Sequence, residues 1–111
     1  MKKALNQSFD TKYVLKKIKS SSSPEEMYKY NNHVWDSFVT SDRFDYNDGF
    51  ALTRSGMSQA KKNIVSYLAF GLFGLGNDIA EQVINKLTDN DILQIVNSIL
   101  SLLKFKPAVL K

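Results

Sequence analysis

Few residues of this chain have the types and spacing that chemistry needs. One group is Asp45, Asn47 and Asp48, beside Gly49 in the stretch FDYNDGFAL. Side-chain oxygens at this density suit calcium. A helix–loop–helix calcium site, however, wants ligands at alternate positions, glycine at the sixth and glutamate at the twelfth. Counted from Asp45, Gly49 comes one position early and an arginine, Arg54, stands near the distal end. The stretch therefore reads as a turn, with Asn and Asp accepting the tight bend and Gly accepting positive φ. No metal and no cofactor is expected.

His33 is the only histidine, and there is no cysteine. A general base needs a partner and a pocket. Asp36 stands one helical turn on, so an exposed His–Asp pair is the expectation. Thiolate nucleophiles, thiolate metal sites and disulfides are excluded. Gly71, Gly74 and Gly76 lack the lysine and serine of a phosphate-binding loop, and they close a helix where that loop would open one. The expectation is a protein that is not an enzyme.

Charge is the other resource. The net charge is +4, but residues 1–20 hold six lysines against Asp10, so the body of the chain is nearly neutral. Lys12, Lys16 and Lys19 share one face of an expected helix. Such a face can meet nucleic-acid phosphates, an anionic membrane or an acidic protein. Arg54, Lys61 and Lys62 extend it if the fold brings them near. The segment LTRSGMSQAKKNIVSYL superficially resembles a helix-turn-helix, but Lys62 falls where that motif wants a buried residue. Aromatic rings crowd residues 28–50, and Tyr30 lies off the main apolar stripe. With Tyr46 and Phe50 beside the turn, it is a candidate anchor for a protein partner. The expected contact residues are Lys12, Lys16, Lys19, Tyr30, Tyr46, Asp48, Phe50 and Arg54.

These residues must be positioned by a mainly helical fold. The 111 residues form one domain, with residues 1–8 a flexible basic N-terminus. Val14, Leu15 and Ile18 fall together on a helix over 9–19. Ser23, Pro24 and Glu26 spell a start signal for a helix running to about Thr40, striped by Met27, Tyr28, Val34, Trp35 and Phe38. A hairpin or loop follows near residues 43–54. A three-residue loop of Asn47, Asp48 and Gly49 pairs Tyr46 with Phe50 and Phe44 with Leu52, placing four large side chains on one face. Ser55 or Ser58 caps the next helix and Gly56 marks the break before it. That helix carries Ala60, Ile64, Val65, Leu68 and Leu72 and ends near Gly74.

NDIAEQVINKL and NDILQIVNSIL then repeat a pattern, Asn77–Leu87 and Asn90–Leu100, with Thr88 and Asp91 a near capping box for the second. The broad apolar band of the last helix makes it central and also offers a homodimer interface. Trp35, Leu68, Ile95 and Ile99 should share one core, and Pro107 should stop the last helix.

The chain lacks an apolar signal-peptide core, and no run reaches the roughly 18 apolar residues of a spanning helix. A cytoplasmic protein is expected, with a membrane partner disfavoured. The expected function is binding another protein, by analogy with accessory, inhibitory or immunity-type proteins of bacteria and phages. A nucleic-acid-binding regulator using the basic N-terminal face is the alternative, and peripheral membrane association the third.

Overall fold

Helices form where the apolar spacing asks for them, and a computed structural model describes residues 12, 16, 18, 23–39, 42–72 and 76–111. Among these are five α-helices: α1 (Ser23–Tyr30), α2 (Asn32–Val39), α3 (Arg54–Ser66), α4 (Asn77–Ile84) and α5 (Asp89–Leu102). Strands β1 (Phe44–Asp45) and β2 (Ala51–Leu52) flank a 3-10 turn at Tyr46–Asp48, and β3 (Val109–Leu110) follows α5. In the sheet, β1 runs antiparallel and β3 parallel to the central β2. The fold is mainly α with a small β element, as the sequence implies. Lys12, Lys16 and Ile18 are also helical, the lysines exposed and Ile18 buried. Lys19, Val14 and Leu15 lie outside the described residues.

The expected helix to Thr40 is broken at Asn31, which separates α1 from α2. Two successive asparagines, Asn31 and Asn32, account for the break, because their side chains compete with the helix for backbone partners. The bond across it, Trp35 N–H to the Asn31 carbonyl, is long at 3.4 Å. Met27, Trp35 and Phe38 are buried as the stripe requires, and Tyr28 and Val34 only partly.

Helix α3 begins earlier than expected. Thr53, not Ser55 or Ser58, is its N-cap, its hydroxyl accepting from Gly56 N–H at 3.0 Å. Gly56 marks no break. It sits in the first turn, where an added Cβ would stand 2.3 Å from the Arg43 carbonyl oxygen and 2.7 Å from Leu52 Cδ1. The glycine is needed so that helix and hairpin can touch. From Arg54 to Ser66 the helix is unbroken, so the segment resembling a helix-turn-helix has no turn. It continues as a π-helix over Tyr67–Leu72. Gly71 there lets the chain approach Tyr30, whose Cδ1 would be 2.8 Å from an added Cβ. The expected end near Gly74 lies outside the described residues.

Helix α5 is central, packing on α1, α3 and β3. Its Ile92, Ile95, Val96, Ile99 and Leu100 are buried in one cluster with Trp35 and Leu68. Burying each such side chain contributes roughly 1.5–3 kcal/mol. Of the apolar band, only Leu102 is largely exposed. Its N-terminus carries a full capping box: Thr88 Oγ1 accepts from Asp91 N–H, and Asp91 Oδ2 accepts from Thr88 N–H. Helix α4 has no side-chain cap and starts from Gly76 at φ 87°. The likeness of the two segments is therefore one of composition, with an 8-residue helix in one and 14 residues in the other.

Candidate functional site

The hairpin keeps the register that its large residues dictate, Phe44 opposite Leu52 and Asp45 opposite Ala51. The connection is longer than the three residues expected. Asp45 Oδ1 accepts from Asn47 N–H at 3.0 Å and starts the 3-10 turn. Gly49 (φ 68°) and Phe50 (φ 62°) both then adopt the left-handed conformation. For Phe50 this costs about 1–2 kcal/mol. Complete burial of its ring, worth roughly 1.5–3 kcal/mol, offsets that cost.

The ring of Phe50 is the fourth of five in an aromatic series. Trp35 meets Phe38 edge-on at 5.5 Å, Phe38 meets Phe44 at 5.3 Å, Phe44 stacks on Phe50 at 4.7 Å, and Tyr46 leans on Phe50 at 5.2 Å. Each such pair adds about 0.5–1.5 kcal/mol beyond its buried area. The series runs from the core to the surface, and Tyr46 is its exposed end, 61% accessible.

The C-terminal tail completes this end of the molecule. Helix α5 stops in a Schellman closure: Phe105 N–H donates to Leu100 O and Lys104 N–H to Ser101 O. Lys104 takes the left-handed position (φ 64°) that glycine usually fills. Asn97 then grips the returning chain with both ends of its amide. Its Nδ2 donates to Ala108 O at 3.0 Å, and its Oδ1 accepts from Ala108 N–H at 2.7 Å. Val109 N–H donates to Phe50 O, and Lys111 pairs with Asp45. Lys106 Nζ stands 5.8 Å from the centre of the Phe50 ring. Phe105, Val109 and Leu110 are exposed. Leu110 and Lys111 share a groove with Leu52, Thr53, Arg54, Met57 and Asp89.

The sequence-derived residues distribute as follows. Tyr46 and Arg54 are both exposed; the tail shares a groove with Arg54 and reaches Asp45, the residue before Tyr46, through Lys111. Phe50 is a correction: at 2% exposure it supports Tyr46 from beneath and offers no surface ring. Tyr30 is exposed but belongs elsewhere, edge-on to Tyr67 at 5.8 Å against the π-helix. Asp48 lies in the 3-10 turn, and its side chain is outside the described residues. Lys61 pairs with Asp89 at 3.5 Å and shares a groove with Lys62 and the exposed Phe70. Asp36, expected beside His33, accepts from Tyr28 Oη at 2.8 Å. That bond, followed by desolvation and the Asp36 charge, raises the Tyr28 pKa above 10.0.

Sequence reasoning missed Lys104, Lys106, Phe105, Val109, Leu110 and Lys111. Their one signal was the apolar pair after Pro107.

The arrangement defines a small helical protein with an exposed aromatic–basic face at the end of a three-stranded sheet. No family model, curated protein or solved structure matches the chain significantly. No helix among the described residues is long and apolar enough to cross a membrane.

Proposed function

We propose that this is a small non-enzymatic protein of the cytoplasm that acts by binding another protein, in the manner of accessory, inhibitory or immunity-type proteins of bacteria and phages. The contact surface is the sheet-end face. The observation that carries this reading is Tyr46. It is an exposed ring held on a packed aromatic series, with Lys106 over the neighbouring Phe50 ring and Lys111 on the neighbouring Asp45. A preordered aromatic loses little entropy on binding, and desolvated rings carry most interface energy. The tail brings Lys106 over the Phe50 ring beneath Tyr46 and Lys111 onto Asp45 beside it, and an acidic partner surface is the complement of that basic tail. Exposed charges of this kind chiefly set association rate and orientation.

A nucleic-acid reading is the alternative. The exposed Lys12 and Lys16 favour it, and a solvent-facing ring among lysines also suits a stacked base. Affinity capture from the native host, run with and without nuclease treatment, separates the two, with wild type beside Tyr46→Ala and Lys106→Glu. The expected result is a protein retained by wild type and lost with Tyr46→Ala. Retention of nucleic acid alone, with steep salt dependence, would replace the protein reading.

A further inference from the structure

A second surface has the features of a ligand site. Helices α2 and α3 enclose a cleft lined by His33, Val34, Ser37, Phe38, Arg43 and Gln59. The backbone of Arg43 is fixed: its carbonyl accepts from Thr53 N–H and Thr53 Oγ1, both at 2.9 Å, and Gly56 packs against it. Its guanidinium is not fixed in the same way. Nη1 reaches Asp42 only at 3.5 Å, and Nη2 reaches Gln59 Oε1 only at 3.4 Å. Nε is buried with no hydrogen-bond partner among the described residues.

The polar chain behind the cleft is unbalanced. Gln59 accepts from Arg43 and donates through Nε2 to Asn63 Oδ1 at 3.0 Å. Asn63 is 8% exposed, and its Nδ2 is a second buried donor without an acceptor among the described residues. Arg43, Gln59 and Asn63 together hold many donors and two amide oxygens. Turning either amide over moves the shortage without removing it, since each turn exchanges one acceptor for one donor. Unsatisfied buried donors are rare in folded proteins and call for an explanation. An anion arriving in the cleft would supply an acceptor to Arg43, which lines it; Asn63 lies behind and is not reached.

We propose that this cleft binds a carboxylate, with Arg43 as its main ligand and His33 and Ser37 at its rim. A planar carboxylate accepts two parallel bonds along the Nε–Nη edge of a guanidinium. The long Nη contacts leave the Arg43 head free to turn that edge toward the cleft. The carboxylate can come from a free organic acid or from an Asp or Glu side chain of a protein segment; the recognition chemistry is the same. The site is separate from the Tyr46 face and stands without the protein-binding reading.

The test is a titration of the full chain followed by the Arg43 Nε–Hε resonance. The probes are acetate, glutarate, a short Asp-containing peptide and phosphate, with chloride at matched ionic strength. Saturable shifts at Arg43 and Gln59 with the carboxylates are expected, and Tyr46 should not move. Saturation should be lost in Arg43→Gln and weakened several-fold in Arg43→Lys, which keeps the charge but not the fork. His33→Gln, an exposed change, should weaken it and guards against a folding defect at Arg43. Tighter saturation by the peptide would assign the source to protein, and tighter saturation by glutarate to a free acid. Equal, non-saturating responses to acetate and chloride, saturation by phosphate alone, or a response surviving Arg43→Gln would overturn the proposal.

Discussion

Asn97→Ala removes the grip on the C-terminal tail, and the structure sets what that should cost. Two hydrogen bonds go, at 3.0 and 2.7 Å, both to the backbone of Ala108, which is 3% exposed. If the tail stayed in place, a buried N–H and a buried C=O would be left unsatisfied, at about 1–3 kcal/mol each. Undocking avoids that penalty and gives up less. The losses would be the β2–β3 pairing with its Val109–Phe50 bond, worth about 1 kcal/mol, the burial of the Ala108 methyl, worth about 0.8 kcal/mol, and the Lys111–Asp45 pair. That pair is part-exposed, with side chains 48% and 28% accessible, and is worth at most about 1 kcal/mol. Undocking should therefore win, and the global loss should stay near 1–3 kcal/mol. Denaturant unfolding measures the loss, and hydrogen exchange at the Val109 amide locates it. The expected outcome is faster exchange at Val109 with protection in α5 retained. An Asn97→Ala protein with unchanged stability and unchanged Val109 protection would refute the docking of the tail.

Lys104→Gly should stabilise by about 1 kcal/mol in the same unfolding measurement, because the left-handed position penalises any side chain. Gly56→Ala should destabilise by more than the roughly 1 kcal/mol that alanine gains in helix propensity, since the Arg43 carbonyl cannot yield without shifting the hairpin. The Tyr28 ring should titrate above 10.0, with its neutral form favoured by Asp36. Because the folded pKa is the higher one, this contribution to stability is complete below the unfolded pKa and is lost as pH rises through the folded value. In Asp36→Asn the Tyr28 titration, followed by its ring resonances, should move down toward 10.0.

The parts of the fold that were legible in the sequence are those written in local pattern. Thr88 with Asp91 spells a capping box, and alternation around Asn47–Gly49 sets the hairpin register. The stripes of α2, of α3 with its π-helical continuation, and of α5 name Trp35, Leu68, Ile95 and Ile99 as core. What was not legible depends on distant contacts. Gly56 looks like a helix breaker until the Arg43 carbonyl, 13 positions earlier, is found against it. Asn97 looks like a polar residue on an apolar helix until the tail folds back onto it. Two residues, Val109 and Leu110, are too short a run to signal a strand, and their pairing with β2 spans about half of the chain. The candidate face was half visible for that reason. Tyr46 and Arg54 could be named, but the basic tail beside them could not. The Arg43 cleft had no sequence signal, since its members come from α2, the segment before β1, and α3.

The most direct measurement on the central claim pairs two numbers for Tyr46→Ala, the dissociation rate from the captured partner and the melting temperature. Tyr46 is 61% exposed, and its hydroxyl reaches the Val39 carbonyl only at 3.5 Å. Its loss should cost no more than the roughly 0.5–1.5 kcal/mol of its pair with Phe50, so the protein stays folded and the melting temperature falls by only a few degrees. As an interface anchor it should be worth about 2 kcal/mol or more, which corresponds to dissociation roughly 30-fold faster. An unchanged dissociation rate in a Tyr46→Ala protein that remains folded would contradict the claim that this face binds.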